Sequence, residues 1–181
     1  MHKILITGSI HEIGLELLHR ENDIEIRYVP ELTYQEILKI IADFHCILTR
    51  SETAIPKELI DNAPNLKVIA RAAVGVGNID VDYATEKGIL VINTPGINNI
   101  SAAELAIGLL LSAMRNIVPA HSHMRELEWN RHAFTGTELL GKSIGIIGLG
   151  NVGHRVARYA KAFEMEVMAY DPYVSDEVFD R

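Results

Sequence analysis

The sequence is poor in cysteine. Its 181 residues hold one, Cys46, which excludes a disulfide framework and any metal site built from several thiolates. Set in an apolar run, Cys46 reads as a small core residue. Basic residues are outnumbered, 17 against 24 acidic, for a net charge of −7. With no local Lys/Arg cluster either, there is no electrostatic footprint for nucleic acid. Long apolar runs are also missing. The longest, residues 102–114, is interrupted by Glu104 and spans roughly 13 residues, where a membrane helix needs about 20. The opening Met1-His2-Lys3-Ile4-Leu5-Ile6 reaches a turn at Gly8 too soon for a signal peptide. No internal repeat or low-complexity segment stands out. The remainder is an ordinary globular composition, 48% hydrophobic and 23% charged. It suits a cytoplasmic chain off the membrane, long enough for one large domain or two small ones.

The most informative stretch lies late in the chain. Ile144-Gly145-Ile146-Ile147 is an apolar strand running into Gly148-x-Gly150-x-x-Gly153, helical spacing follows, and a second apolar strand ends on Asp171. This is the order in which a βαβ unit holds a dinucleotide. Gly148 permits the tight turn, Gly150 lets backbone approach the pyrophosphate, and Gly153 lets helix and strand pack closely. The helix begins at Asn151-Val152 with N–H groups that have no intrahelical acceptor, a natural phosphate site. Asp171, about 20 residues on, can accept hydrogen bonds from the adenosine ribose and would repel a 2′-phosphate, which favours NAD over NADP.

Before that stretch, β-type runs at residues 3–7, 25–29, 45–49, 66–70 and 89–92 alternate with helical segments. Thr33 can cap one of these, Pro56 suits the first turn of another, and Asp80 or Val81 opens a third. Such alternation predicts a parallel sheet with helices on both faces. The pattern breaks at Asn93-Thr94-Pro95-Gly96, the candidate domain boundary. Ser101-x-x-Glu104 then reads as a capping box opening a long helix through Arg115. Its apolar residues lie nearly all round, so burial on more than one side is expected, within one subunit or against a second. A second, more polar helix is expected over 119–129.

Two strand ends in the first half carry groups suited to an anion. Thr49-Arg50-Ser51 follows the third strand, and Arg71-Ala72-Ala73-Val74-Gly75-Val76-Gly77 follows the fourth. Ligands of doubly wound sheets gather outside the carboxyl ends of strands. Two arginines there can hold a phosphate or carboxylate bidentately, with loop N–H groups adding donors. Two surface arginines and a turn would produce the same pattern. The eight histidines offer no clear catalytic base. His121 and His123 fall on different helix faces, which disfavours zinc. His132 lies beside Arg131 without an orienting carboxylate, and His154 falls on the first turn of the dinucleotide helix. No Ser/His/Asp or Cys/His arrangement appears.

With these motifs assembled, the chain resembles the D-isomer-specific 2-hydroxyacid dehydrogenases. The matching stretches are Leu48-Thr49-Arg50-Ser51-Glu52-Thr53, Arg71 to Asp80, Gly88 to Gly96, Ser101-Ala102-Ala103-Glu104, Gly136-Thr137-Glu138-Leu139 and the Gly148 to Asp171 unit. The resemblance implies a flavodoxin-like, doubly wound parallel substrate domain at 1–94. An incomplete Rossmann NAD-binding domain would follow at 95–181. Arg50, Ser51 and Arg71 would bind the substrate's phosphate or carboxylate, and Val74-Gly75 would lie beside substrate and nicotinamide. Gly148, Gly150, Asn151, Val152, Gly153 and Asp171 would hold NAD. Arg131 would reach a phosphate, across a dimer interface, and the helices over 101–130 would pack against a second subunit. Two departures fall in the Arg71 loop. Ala73 stands where the family usually has Gly, tolerable if its φ is negative, and Gly77 stands where it has Asp.

The activity implied is NAD-dependent oxidation of 3-phospho-D-glycerate to 3-phosphohydroxypyruvate by a longer parent protein. The family's catalytic Arg, Glu and His come from segments beyond Asp171, so no catalytic residue is expected within these 181 residues, which read as a fragment. Two alternatives stand beside this. One is a glyoxylate or hydroxypyruvate reductase, or another D-2-hydroxyacid dehydrogenase. The other is a non-catalytic NAD-binding or dimerisation module.

Overall fold

A computed structural model describes residues 1–175 of the chain. Residues 176–181, the end of the expected NAD-binding segment, lie outside the described residues. The chain divides into two compact units, Met1–Pro95 and Gly96–Arg181.

The first unit alternates strand and helix: β1 (His2–Ile6), α1 (Glu12–His19), β2 (Ile24–Tyr28), α2 (Tyr34–Ile40), β3 (Cys46–Thr49), α3 (Lys57–Asp61), β4 (Val68–Arg71), α4 (Val81–Glu86) and β5 (Leu90–Ile92). All pairings are parallel, in the order β2-β1-β3-β4-β5, the flavodoxin-like doubly wound arrangement. The central strands bury Leu5, Ile47 and Ile69 against Ile37, Ile41, Leu59 and Ile60 from the helices. Burying each such side chain contributes about 1.5–3 kcal/mol. Local signals agree with the global packing. Thr33 caps α2 in a full capping box with Glu36, and Asp80 caps α4 by accepting from the N–H of Tyr83. Pro56 sits one residue earlier than its sequence placement, at the N-cap of α3. Cys46 is half-buried on β3.

The second unit holds α5 (Asn99–Met114), α6 (Ile117–Arg125), a 3₁₀ turn (Arg131–Phe134), β6 (Ser143–Ile147), α7 (Asn151–Ala162) and β7 (Glu166–Tyr170). β6 and β7 pair in parallel. One face of this pair, with Ile144 and Val167, packs toward Leu139, Ala160 and Met165, which also receive Leu110, Leu111 and Met114 of α5, and Ile146 is buried on the same face. The other face carries Ile147, Met168 and Tyr170, all exposed among the described residues.

Two expectations change here. α5 begins two residues before Ser101, with Asn98 at its N-cap and no side-chain cap bond, so Ser101-x-x-Glu104 lies inside the helix and forms no capping box. The polar turn at Asn98-Asn99 lets the chain enter helical geometry early, which leaves Ser101 no unpaired N–H to serve. Within the described chain α5 buries only Ala103 and Ile107, while Leu105 and Leu109 are exposed. Within this one chain, the burial lies along one side. α6 ends at Arg125, where a left-handed residue, Leu127, turns the chain, and Trp129 lies beyond it. No single described helix is long and apolar enough to cross a membrane.

Candidate functional site

In the first unit the register of the sheet brings the two arginine loops together. Thr49 is paired with Arg71 across β3 and β4, so Arg50 and Arg71 stand at neighbouring strand ends. The N–H of Ala72 donates to the carbonyl of Thr49 at 2.9 Å. Arg71 Nη1 donates to the carbonyl of Arg50 at 3.3 Å and to Asn78 Oδ1. Arg71 is only 7% exposed, and no carboxylate lies within ion-pair reach of it among the described residues. A buried guanidinium without a counter-ion carries its charge uncompensated, which is costly unless an anion completes the site.

Arg50 is exposed and folds back toward β1, its Nη1 donating to the carbonyl of Ser9 at 3.2 Å. Gly8 makes this possible, because a Cβ there would lie 2.7 Å from the N atom of Arg50. Ser51 is exposed in the same loop, and its carbonyl accepts from Asn78 Nδ2 at 3.3 Å. Val74 and Gly75 project from the Arg71 loop with exposed surface. The carbonyl of Val74 is held by Asn93 Nδ2 at 2.7 Å, and that of Ala73 by the N–H of Thr94 at 3.1 Å. Ala73 is not among the residues with positive φ, so the family's glycine is dispensable at that position. Gly77 has open space where a Cβ would stand.

The dinucleotide motif lies in the second unit. Gly148 turns the chain at φ +93°, a conformation L side chains rarely adopt. A Cβ on Gly153 would collide with the carbonyl oxygen of Gly148, and would approach Ile146 Cγ2 to 3.3 Å. Helix and strand are therefore in backbone contact. Nothing lies within 4 Å of a Cβ on Gly150, so the space above it is open. His154 N donates to the carbonyl of Gly150 at 2.9 Å, which leaves the N–H groups of Asn151, Val152 and Gly153 ahead of the helix's own ladder. At the end of β7, Asp171 Oδ2 accepts from the N–H of Leu149 at 2.7 Å, and Oδ1 accepts from the N–H of Tyr173 at 2.9 Å. Each oxygen keeps accepting capacity for a ribose hydroxyl. An open glycine loop, unpaired helix N–H groups and a carboxylate tied to the loop together fit NAD.

Sequence reasoning missed several neighbours. Arg155 and Arg158 line a cleft with Asn99, Gly150, Asn151 and His154, and add positive charge beside the helix start. Their helical spacing from Asn151 is a signal that was there to read. Gly8, Ser9 and Asn78 gave no such signal, since long-range folding alone brings them to the arginines. Arg131 lies exposed on the 3₁₀ turn and lines a separate cleft with Arg115, His123, Trp129 and Phe134. His123 does have a carboxylate partner, Glu128 Oε2 at 3.0 Å from Nδ1, yet its Nε2 is buried without a hydrogen-bond partner. No cluster of three or more His, Cys, Asp or Glu able to hold a metal occurs among the described residues.

Comparison with known proteins fits this geometry. Residues 4–178 match the family described as D-isomer specific 2-hydroxyacid dehydrogenase, catalytic domain. D-3-phosphoglycerate dehydrogenase of Methanocaldococcus jannaschii is 46% identical over 178 residues, covering 98% of this chain and 34% of that protein. Hydroxypyruvate reductase of Thermotoga maritima is 41% identical over 171 residues, covering 94% of this chain and 56% of that one. The structure of an NAD-dependent formate dehydrogenase from Staphylococcus aureus in complex with NAD superimposes with a TM-score of 0.84 at 29% identity, over 96% of this chain and 57% of that one. The chain thus spans between about a third and somewhat over half the length of these relatives. With its flavodoxin-like sheet, its paired arginine loops and its glycine turn, the chain belongs to the D-isomer-specific 2-hydroxyacid dehydrogenases, a family of NAD-dependent oxidoreductases.

Proposed function

We propose that the protein to which this chain belongs oxidises 3-phospho-D-glycerate to 3-phosphohydroxypyruvate with NAD. The observation that carries the reading is the buried Arg71, uncompensated by any carboxylate among the described residues, beside the exposed Arg50. Two cations at neighbouring strand ends suit a ligand with two anionic ends, a carboxylate and a phosphate. Arg50, Ser51 and Arg71 hold those ends, and Val74-Gly75 borders the reacting carbon. Gly148, Gly150, Asn151, Val152, Gly153 and Asp171 hold the NAD, with its pyrophosphate on the start of α7. NAD bound there would supply the hydride acceptor for the hydrogen on C2 of the substrate, while a general base would take the C2 hydroxyl proton. The contacts of these 181 residues bind and orient. The resemblance implies that the catalytic Arg, Glu and His come from segments beyond Asp171.

The exposed apolar side chains of the second unit, Leu105, Leu109, Val118, Met124 and Trp129, support a homodimer through the 101–130 region, with Arg131 carried to the partner. A hydroxypyruvate or glyoxylate reductase is the second reading, favoured by the 41% identity to the Thermotoga protein. Steady-state kinetics on the full-length protein separate the two. A kcat/KM for 3-phospho-D-glycerate well above that for unphosphorylated glycerate supports the proposal. Equal values, or a preference for the unphosphorylated acid, refute it.

A further inference from the structure

Arg71 is held in an uncommon way. A buried guanidinium is ordinarily fixed by a carboxylate, which also cancels its charge. Here the side chain that fixes it is an amide. Nη1 donates to Asn78 Oδ1 and to the carbonyl of Arg50, while Nε is buried without a partner. Asn78 is itself locked from behind. Its Nδ2 donates to the carbonyl of Thr53 at 2.7 Å and to that of Ser51 at 3.3 Å. Its backbone carbonyl accepts from the N–H of Ile55 at 2.8 Å, and the N–H of Asp80 returns to the carbonyl of Ile55 at 3.0 Å. Two carbonyls can be satisfied only by the NH₂ end of the amide, so Oδ1 has one way to face, toward Arg71. Asn78 thus ties the loop after β3 to the loop after β4 and aims the cation that both loops surround.

We infer that Asn78 is a positioning residue for the anion site: it orients the Arg71 guanidinium by a neutral acceptor and leaves its positive charge whole for the ligand's carboxylate or phosphate. The inference rests on the reading of Arg71 as an anion ligand. An aspartate in this place would pair with the guanidinium and neutralise it, at the loss of the two Nδ2 bonds to Thr53 and Ser51. An alanine would leave the charge and lose the aim.

The test uses the full 181-residue chain, labelled with ¹⁵N-arginine and titrated with 3-phospho-D-glycerate. Dissociation constants and Arg71 side-chain spectra are read together for wild type, Arg71→Ala, Asn78→Ala, Asn78→Asp and the Arg71→Ala/Asn78→Ala pair. Arg71→Ala and Asn78→Ala should each weaken binding roughly tenfold or more. The double variant should bind no more weakly than Arg71→Ala, because Asn78 acts through Arg71. In Asn78→Ala the Arg71 Nη signals should collapse through free rotation about Nε–Cζ, a change that mere loss of stability in the folded fraction would not produce. Asn78→Asp should keep the Nη signals resolved yet lose affinity. If Arg71→Ala weakens binding while Asn78→Ala or Asn78→Asp binds like wild type, the role of Asn78 is overturned. If Arg71→Ala itself binds like wild type, or the wild-type chain shows no perturbation of Arg71 at tens of millimolar ligand, the anion site falls and the inference with it.

Discussion

Two glycines of the dinucleotide loop should fail in opposite ways when given a methyl group. In Gly153→Ala the new Cβ meets the carbonyl oxygen of Gly148 at a separation no real structure tolerates, and Ile146 Cγ2 stands at 3.3 Å. The obstacle is backbone and cannot rotate away. It is also anchored, because the N–H of Gly148 donates to the carbonyl of Tyr170 at 2.8 Å and Gly148 is fixed at φ +93°. Relief requires α7 to lift from β6. Overpacking of this kind costs about 1–3 kcal/mol, with a rigid backbone contact at the upper end. Alanine's helical preference over glycine returns about 0.5–1 kcal/mol, so the net loss should be near 2 kcal/mol. Gly150→Ala has none of these penalties: its φ is −72° and no atom lies within 4 Å of the new Cβ. Its stability should change by no more than about 0.5 kcal/mol. The methyl would nevertheless stand in the space assigned to the pyrophosphate. Urea unfolding followed by fluorescence of Trp129 and by circular dichroism, beside calorimetric titration with NAD on the full-length protein, reads both effects. The expected result is a destabilised Gly153→Ala and a stable Gly150→Ala that has lost NAD affinity. A Gly150→Ala protein that binds NAD normally would refute the placement of the pyrophosphate. A Gly153→Ala protein as stable as wild type would refute the backbone contact.

Other outcomes follow from the first unit and the α6 turn. Leu59 is fully buried among Ile37, Ile41 and Ile55, so Leu59→Ala should destabilise the first unit by about 2–5 kcal/mol in chemical denaturation. Burial pushes the Cys46 thiol up to about 11. Native chain should resist a thiol reagent at pH 8 and react once unfolded in guanidinium. The same shift has a sign: the folded state holds this proton more tightly, so its contribution to stability is present below the unfolded value of 9.0 and lost as pH rises toward 11. Cys46→Ser should flatten that alkaline loss in a series of melting curves. Leu127 sits at φ +58° and is 94% exposed. Leu127→Gly relieves a left-handed conformation that costs roughly 1–2 kcal/mol and removes no packing, so Tm should hold or rise.

The fold was legible where local and long-range demands coincide. Apolar runs at β1, β3 and β4, alternating with helical segments, foretold a parallel sheet because these strands carry little polar alternation. Thr33 caps α2 where the sequence placed a cap, and Glu36 completes a capping box there. The same spacing at Ser101 and Glu104 promised one that does not form, since a capping pattern is blind to the turn upstream that decides where the helix begins. Of the proposed anion site, Arg50 and Arg71 were legible from their places at strand ends. Asn78 was not, because its role exists only once β3 and β4 lie side by side and bring Ser51, Thr53 and Arg71 around one amide. The glycine loop was the clearest of all. Its requirements are local to a single turn, and the structure meets them at Gly148 and Gly153 with backbone geometry alone.

The two units differ in how much interior each possesses. Fourteen buried residues form the core cluster of Met1–Pro95, against three in the cluster of the second unit among the described residues. Every strand partner of the five-stranded sheet lies within those first residues. Synthesis runs from the N-terminus, and domains fold as units as they emerge. On a ribosome, therefore, β3 and β4 bring Arg50 and Arg71 together and β5 completes the sheet before Gly148 has been added to the chain. The proposed anion site is older, in the life of each molecule, than the glycine loop proposed for the dinucleotide.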